Sequence, residues 1–279
     1  MIWACGLHRK VTRIPTFLWK LGLCGAGGGT RTRTPSLAPD FESGASTNST
    51  TPAMCEQLGT KTRSIPPMVL HDVFLRRGER LVFNGLSLAI DAHRTGLVGL
   101  NGSGKTSLLR LLMGLEEPEQ GLLQNEKPVG LVFQSPNQQI LFPTVMEELC
   151  FGQLERGKEP KQVEVKAKAF ASAHGAEHLL KRSTHECSEG EKQLVCILAV
   201  LMDEPQVLLF DEPFASLDAR ATRAMMAVIK TLPQQVVMAS HNLELLSDFD
   251  ELIWMDGGQV KMQGPVKQVR EAFEAFTNG

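Results

Sequence analysis

Apolar residues along this chain fall into two alternating rhythms, and both begin at Met68. There, Met68–Phe74, Leu81–Asn84 and Leu86–Ile90 read as strands, the last alternating apolar with small or polar residues. Thr95–Val98 reads as a further strand. Thr106–Met113 follows as a helix whose Leu108, Leu109, Leu111, Leu112 and Met113 make a broad apolar surface, and Gly114 stands where a C-terminal glycine belongs. Leu122-Leu123 and Val129–Phe133 are candidate strands. Residues 135–187 are more helical and polar, with helices over Met146–Phe151 and Val163–His174 and a short one at Leu179-Leu180. Ser188 with Glu191 forms a capping box; Leu194, Ile197, Leu198 and Leu201 supply the 3.6-residue stripe, and Pro205 ends the helix. Val207–Phe210 is continuously apolar, as a strand covered on both faces should be. Arg220–Thr231 reads as helix, Gln235–Ala239 as strand and Asn242–Asp248 as helix. Glu251–Met255 and Gln259–Met262 flank the hairpin turn Asp256-Gly257-Gly258, and Val266–Phe276 closes as a helix. Strands alternating with helices predict an α/β fold with a mostly parallel core sheet.

Residues 1–67 show neither rhythm. Gly25–Ala53 is rich in Gly, Ser, Thr and Pro with one Phe and one Leu, too little apolar surface to offset ordering entropy. The first 24 residues carry His8, Arg9, Lys10, Arg13 and Lys20 around Ile14–Leu23, but Pro15 and Lys20 interrupt the apolar run that a leader peptide needs. The preferred expectation is a disordered or spurious extension with the true start at Met68. Phe41-Glu42-Ser43 can be encoded by TTC-GAA-TCC, which resembles the T-arm of a transfer-RNA gene.

Between the strand Thr95–Val98 and the helix after it lies Gly99-Leu100-Asn101-Gly102-Ser103-Gly104-Lys105-Thr106-Ser107, which reads G-x-x-x-x-G-K-T. Strand, glycine-rich turn and helix are the context in which backbone N–H groups curl around phosphate oxygens and a helix N-terminus faces them. Lys105 would reach the β- and γ-phosphates and the Thr106 hydroxyl would ligate Mg²⁺. A second motif, Asp211-Glu212-Pro213, puts two carboxylates at the end of a buried strand, where α/β sheets place ligands. Asp211 is suited to support Mg²⁺ and Glu212 to polarise an attacking water as general base.

Composition narrows the field. The net charge of −2 gives no basic footprint for nucleic acid. No apolar run reaches the ~18 residues of a membrane span. Six cysteines contain no Cys-x-x-Cys pair and fit reduced thiols better than a zinc site. There is no tyrosine.

Four further pieces lie in order: Gln134 at a strand end, Cys187-Ser188-Glu189-Gly190-Glu191-Lys192-Gln193, Ser216-Leu217-Asp218, and His241 after a strand. With the two nucleotide motifs they resemble the Q-loop, the L-S-G-G-Q signature, the D-loop and the switch histidine of ATP-binding-cassette ATPases. The resemblance covers residues 68–279. It implies a P-loop fold with a small antiparallel β subdomain and a helical signature subdomain over about 135–200. Phe133-Gln134-Ser-Pro-Asn-Gln-Gln-Ile-Leu-Phe142-Pro-Thr-Val145-Met-Glu-Glu148-Leu-Cys-Phe151-Gly152 is similar to the corresponding run of energy-coupling-factor transporter ATPases. The opening from Leu70 to Leu88 and Phe210–Asp218 look most like the members serving biotin, with those serving cobalt or nickel next.

The resemblance implies ATP and Mg²⁺ as ligands and a second ATPase subunit, identical or not, docked head to tail. Ser188, Glu189, Gly190 and Glu191 would then face the partner's ATP, and Asp218 would link the two sites. Gln134 would help place Mg²⁺ and water, and His241 would contact the γ-phosphate. It further implies a transmembrane coupling subunit and a substrate-binding membrane subunit at the cytoplasmic face of the inner membrane, met by Asn137–Phe142, with no nucleic-acid partner. Three departures stand out. Glu189 replaces the first signature glycine and would repel a phosphate unless turned away. Arg77 occupies the place of an aromatic residue that commonly stacks on adenine. Gly121–Phe133 is short, so the small sheet is expected to be trimmed.

Competing readings are a soluble DNA-repair cassette, which needs a long coiled coil where only 53 residues separate Gln134 from Ser188; a translation-linked protein, which carries two cassettes; and a module that binds ATP without turnover.

Overall fold

A computed structural model describes residues 67–278 of the chain. The expectations for residues 1–66, and with them the domain boundary near 67, lie outside the described residues.

Two sheets carry the fold. A three-stranded antiparallel sheet has the order β2-β1-β4, from β1 (Met68–Arg77), β2 (Arg80–Ile90) and β4 (Gln120–Gln124). A six-stranded sheet has the order β5-β6-β7-β3-β8-β9, from β3 (Arg94–Val98), β5 (Val129–Val132), β6 (Val207–Asp211), β7 (Gln235–Ala239), β8 (Glu251–Asp256) and β9 (Gln259–Pro265). Every pair in it is parallel except the β8–β9 hairpin. The parallel strands are covered on both faces, so β6 and β7 are buried at all positions, which is why their sequences are unbroken apolar runs rather than alternations.

One face of the large sheet packs with the small sheet and α1 (Lys105–Met113), in a core including Leu70, Phe83, Leu108, Leu111 and Leu209. The other face meets α5 (Glu189–Met202), α6 (Ala219–Thr231) and α7 (Val266–Asn278) around Phe210, Ile229, Met238 and Phe273. A third cluster holds the helical region, where α3 (Val145–Glu155) and α4 (Pro160–Ala173) pack on α5 through Leu149, Val163, Leu179 and Leu198.

Several boundaries move. The two strands expected at 81–84 and 86–90 are one, β2, because bulges in β1 around Asp72 (φ 46°) absorb the register changes. The helix expected at Asn242–Asp248 is a short 3₁₀ turn, Leu243–Leu246. The Asn242 side chain accepts from Glu244 N and the backbone bonds run i to i+3, so local polar bonding wins over the α pattern. Leu179 likewise lies in a 3₁₀ turn, Glu177–Leu179. The α5 helix stops at Met202, before Pro205, because Glu204 is already left-handed (φ 54°). The Ser188–Glu191 capping box is present in both directions. The small sheet is confined to three strands with β4 of five residues.

Candidate functional site

The parallel strands β5, β6, β7 and β3 are adjacent, and their C-terminal ends deliver four polar segments to one edge. Gln134 follows β5, Asp211-Glu212 ends β6, Ser240-His241 follows β7, and the glycine-rich loop follows β3. This is where open α/β sheets gather ligands. A cleft of about 530 Å³ lies there, lined by Arg77, Asn101, Gly102, Gly104, Lys105, Thr106, Ser107, Gln134, Asp211 and Glu212, with Arg80, Leu81, Val82, Gly257 and Gly258.

The loop is held open by backbone geometry. At Gly99 (φ 150°) a Cβ would lie 2.2 Å from the Met255 carbonyl oxygen, so no side chain fits. Ser103 N donates to Leu100 O (3.1 Å), and Gly258 N donates to Ser103 O (3.0 Å), which ties the β8–β9 turn to the loop. Ser103 Oγ is buried without a partner. The first turn of α1 contains no acidic residue, so its N-terminus suits an anion.

Lys105 is 6% exposed, and its Nζ donates to Gly99 O (2.8 Å) and Leu100 O (3.2 Å). Burial lowers its pKa, opposed by the charges of Glu212 and Asp211. Thr106 Oγ1 donates to Asp211 Oδ1 (3.1 Å). Burial raises the Asp211 pKa; the Thr106 bond opposes this and the Glu212 charge adds to it. A hydroxyl and a desolvated carboxylate thus converge where a divalent cation would relieve the unfavourable burial. Among the described residues no cluster of three His, Cys, Asp or Glu side chains that could hold a metal ion forms.

Glu212 has a left-handed backbone (φ 46°), a strain of about 1–3 kcal/mol for a non-glycine residue. Its N–H is held by Ala239 O (3.0 Å), and its Oε2 lies 3.0 Å from His241 Nδ1. The His241 side chain is 67% exposed, so the Glu212–His241 pair sits at the mouth of the cleft. Gln134 is exposed on the same rim.

The structure does not bring Ser188, Glu189, Gly190 and Glu191 into this cleft. They form the N-terminus of α5, with Ser188 exposed and the other three half-buried. Glu189 is turned onto Lys192 Nζ (2.9 Å) and Asn137 Nδ2 (3.4 Å), and these partners lower its pKa, Lys192 first. Glu191 bonds Ser188 N (2.7 Å) and Arg182 (2.7 Å). Ser216 and Asp218 are exposed and Leu217 half-buried; Asp218 caps α6 by accepting from Ala221 N (2.7 Å). A Cβ on Gly190 would lie 4.0 Å from Leu217 and 3.6 Å from Ala221, so these two segments adjoin.

Sequence reasoning missed Arg80, Gly257 and Gly258 as cleft residues and the hold of Lys192 and Asn137 on Glu189. The i,i+3 spacing of Glu189 and Lys192 was a readable signal for the last. Arg77 lines the cleft, but its guanidinium is paired with Glu116.

Residues 83–215 match the family model described as ABC transporter. The chain is 36% identical over 209 residues to a biotin transport ATP-binding protein of Rhodobacter capsulatus, covering 71% of this chain and 89% of that one. A nickel import ATP-binding protein of the same organism is 33% identical over 213 residues, with 67% and 84% covered. Among solved structures, cbiO1 of Clostridium perfringens, part of the ABC transporter complex cbiONQ, shares the fold (TM-score 0.65, 24% identity, 76% of this chain and 93% of that one).

Proposed function

We propose that this chain, which belongs to the ABC transporter ATP-binding family, is the ATP-hydrolysing subunit of an energy-coupling-factor importer and that its solute is biotin. One observation supports the chemistry above others: Lys105, the Thr106–Asp211 bond and Glu212 all line a single cleft, and His241 is bonded to Glu212. Lys105 exchanges its carbonyl partners in the loop for β- and γ-phosphate oxygens. Thr106, Asp211 and Gln134 are the residues that would hold Mg²⁺, which when bound neutralises phosphate charge. Glu212 takes the proton side of the attacking water, and its strained backbone keeps the carboxylate at the cleft mouth beside His241. His241 then has its other ring nitrogen free for the γ-phosphate. Catalysis is positioning plus electrostatic stabilisation.

The exposed N-terminus of α5 lies outside the cleft of its own chain, which supports a second subunit whose nucleotide it meets. The Lys192–Asn137 hold on Glu189 supports turnover over an ATP-gated module, because it neutralises the carboxylate that would otherwise oppose a phosphate there. No helix of the described residues is long and apolar enough to cross a membrane. From the likeness to transport ATP-binding proteins, the reading includes membrane subunits: one for coupling, docked on Asn137–Phe142, and one for the solute, with this chain peripheral at the cytoplasmic face. Biotin rests on the similarity to the biotin transport protein, and nickel or cobalt is the next solute. The test is affinity purification of the tagged chain from membranes, followed by mass spectrometry of its retained subunits and small molecules. Two integral membrane proteins and biotin are expected; recovery with no membrane protein would refute the proposal, and a metal ion in place of biotin would reassign the solute.

A further inference from the structure

A second hollow, of about 670 Å³, lies in the helical region, and ATP chemistry makes no use of it. It opens between α3, α4 and the 3₁₀ turn Glu177–Leu179. Its floor is apolar, from half-buried Met146 and buried Leu180. Its rim carries Lys168, Lys181 and His178 against one carboxylate, Glu177. Elsewhere in the helical region basic side chains are spent on acidic ones: Arg156 on Asp203, Lys166 on Glu204, Arg182 on Glu191 and Lys192 on Glu189. Lys168 and Lys181 are exposed and enter no ion pair among the described residues.

The hollow follows from the local chain path. After α4 the His174 N–H turns back onto the Phe170 and Ala171 carbonyls, and Gly175 is left-handed (φ 70°). Ala176 N then bonds Ala171 O (2.8 Å), and this reversal returns the chain through Lys181 beside the end of α4. A Cβ on Gly175 would meet nothing within 4 Å, so the mouth is open there. The next residues are stitched to the turn proposed to meet the membrane subunit. Val145 N donates to Arg182 O (3.2 Å), Thr184 N to Pro143 O (2.9 Å) and Thr184 Oγ1 to Phe142 O (2.8 Å). Lys181 directly precedes this stitch, Met146 directly follows it, and Leu141 stands beside it at 58% exposure. The hollow and that turn therefore form one bonded patch.

We infer that this hollow seats the phosphate headgroup of an anionic phospholipid. The inference rests on the reading of this chain as peripheral to a membrane. Phosphate oxygens accept, and the two ammonium groups and the Ser172 hydroxyl on the rim donate. The floor at Met146 and Leu180 suits the glycerol and first acyl carbons, which a simple soluble anion lacks. Basic side chains near an anionic leaflet each add an attraction that fades within a Debye length. The chain as a whole has a net charge of −2, so attraction to such a leaflet has to come from a local set of cations like this one.

The test is sedimentation of the full chain with vesicles of phosphatidylethanolamine containing phosphatidylglycerol, against vesicles of phosphatidylcholine alone. Wild type is expected to prefer the anionic vesicles about twenty-fivefold, roughly fivefold for each lysine, and to lose the preference as salt is raised. Lys168→Ala with Lys181→Ala abolishes the preference. Lys158→Ala with Lys161→Ala removes the same charge from exposed positions outside the hollow and changes it by less than about twofold. Ser172→Trp keeps every charge, fills the hollow and lowers the preference about as far as the first pair. Nucleotide affinity, which the hollow does not touch, stays unchanged in all variants and reports intact folding. Equal binding to the two kinds of vesicle, an equal fall for both lysine pairs, or full preference in Ser172→Trp would overturn the inference. So would loss of the membrane subunits, with vesicle binding kept, on changing Lys168 and Lys181, which would assign the hollow to an acidic protein segment. A chain that ignores vesicles yet is recovered with its membrane subunits loses the lipid site and keeps the transporter reading; recovery with no membrane protein fails that reading instead.

Discussion

Glu148 links a buried charge to the surface proposed for the membrane partner. It is the fourth residue of α3, is 7% exposed, and lines no part of the nucleotide cleft. Its Oε2 accepts from the N–H groups of Leu141 (2.8 Å) and Phe142 (2.9 Å). Burial pushes its pKa up, and those two bonds pull the other way. The turn they close is fastened on its far side by Thr184, whose hydroxyl donates to Phe142 O (2.8 Å), and it presents Leu141 at 58% exposure. In Glu148→Ala two charge-assisted bonds are lost, a gross cost of about 3–6 kcal/mol. Relief of the buried carboxylate and water reaching the freed N–H groups offset roughly a third to a half, leaving about 2–3 kcal/mol. For a folded unit of this size each kcal/mol lowers Tm by about 2–4 °C, so the expected fall is about 4–12 °C. Glu148→Gln keeps an acceptor oxygen without the charge and should fall about half as far. Calorimetry of the three proteins gives the stability series, and nucleotide binding to the isolated chain should not change. Stimulation of ATP hydrolysis by the membrane subunits should drop in the same order as Tm. A Glu148→Ala Tm within 1 °C of wild type, or a Gln variant less stable than the Ala variant, would refute the reasoning.

The same physics yields three shorter predictions. Because burial raises the Asp211 pKa above its ordinary 3.8, the folded state binds that proton more tightly than the unfolded state, and stability falls as pH rises from there through the folded pKa. Asp211→Asn should therefore raise Tm at pH 7 by about 2–4 °C, with no gain below pH 3.8, while hydrolysis is lost; a pH series of melts checks the sign. Lys192→Met should release Glu189 and weaken ATP-driven dimerisation about fivefold, whereas the same change made on Glu189→Gly should have no effect; sedimentation of the double-mutant set measures the coupling. Gly258→Ala puts a Cβ 1.8 Å from Val82 O at φ 77° and should lower Tm by more than about 6 °C, whereas Gly257→Ala meets nothing within 4 Å and should cost only about 1 kcal/mol of left-handed strain.

The parts of the fold readable in the sequence are those whose determinants are local. The apolar runs of β6 and β7, the capping box at Ser188 and the glycine-rich turn after β3 each state their structure within a few residues. The candidate site was legible for the same reason, since it hangs on the C-terminal ends of parallel strands. What was not legible depends on contacts between distant segments. Helix α2 (Pro136–Gln139) is four residues long, and its Gln139 side chain reaches back to Phe133 N. The bond from Leu141 to Glu148 and the Asn137 contact with Glu189 join segments that periodicity treats separately. Arg77 could be placed at the cleft by its position at the end of the first strand, but its pairing with Glu116 needs the turn after α1, which only the folded chain supplies. The short turn at Leu243–Leu246 shows the converse: its apolar spacing suits an α-helix, and the Asn242 and Ser247 side chains close it as 3₁₀ instead.

The most direct test of the central claim is steady-state Mg²⁺-dependent ATP hydrolysis by the complex purified with its membrane subunits, wild type against Glu212→Gln. Loss of a general base typically lowers turnover by about 10²–10⁴. The expected result is measurable hydrolysis by wild type that falls at least about a hundredfold in the variant, with nucleotide affinity retained. Equal rates in the two proteins, or a wild-type complex that binds ATP and never hydrolyses it, would contradict the assignment of this chain as the energising ATPase.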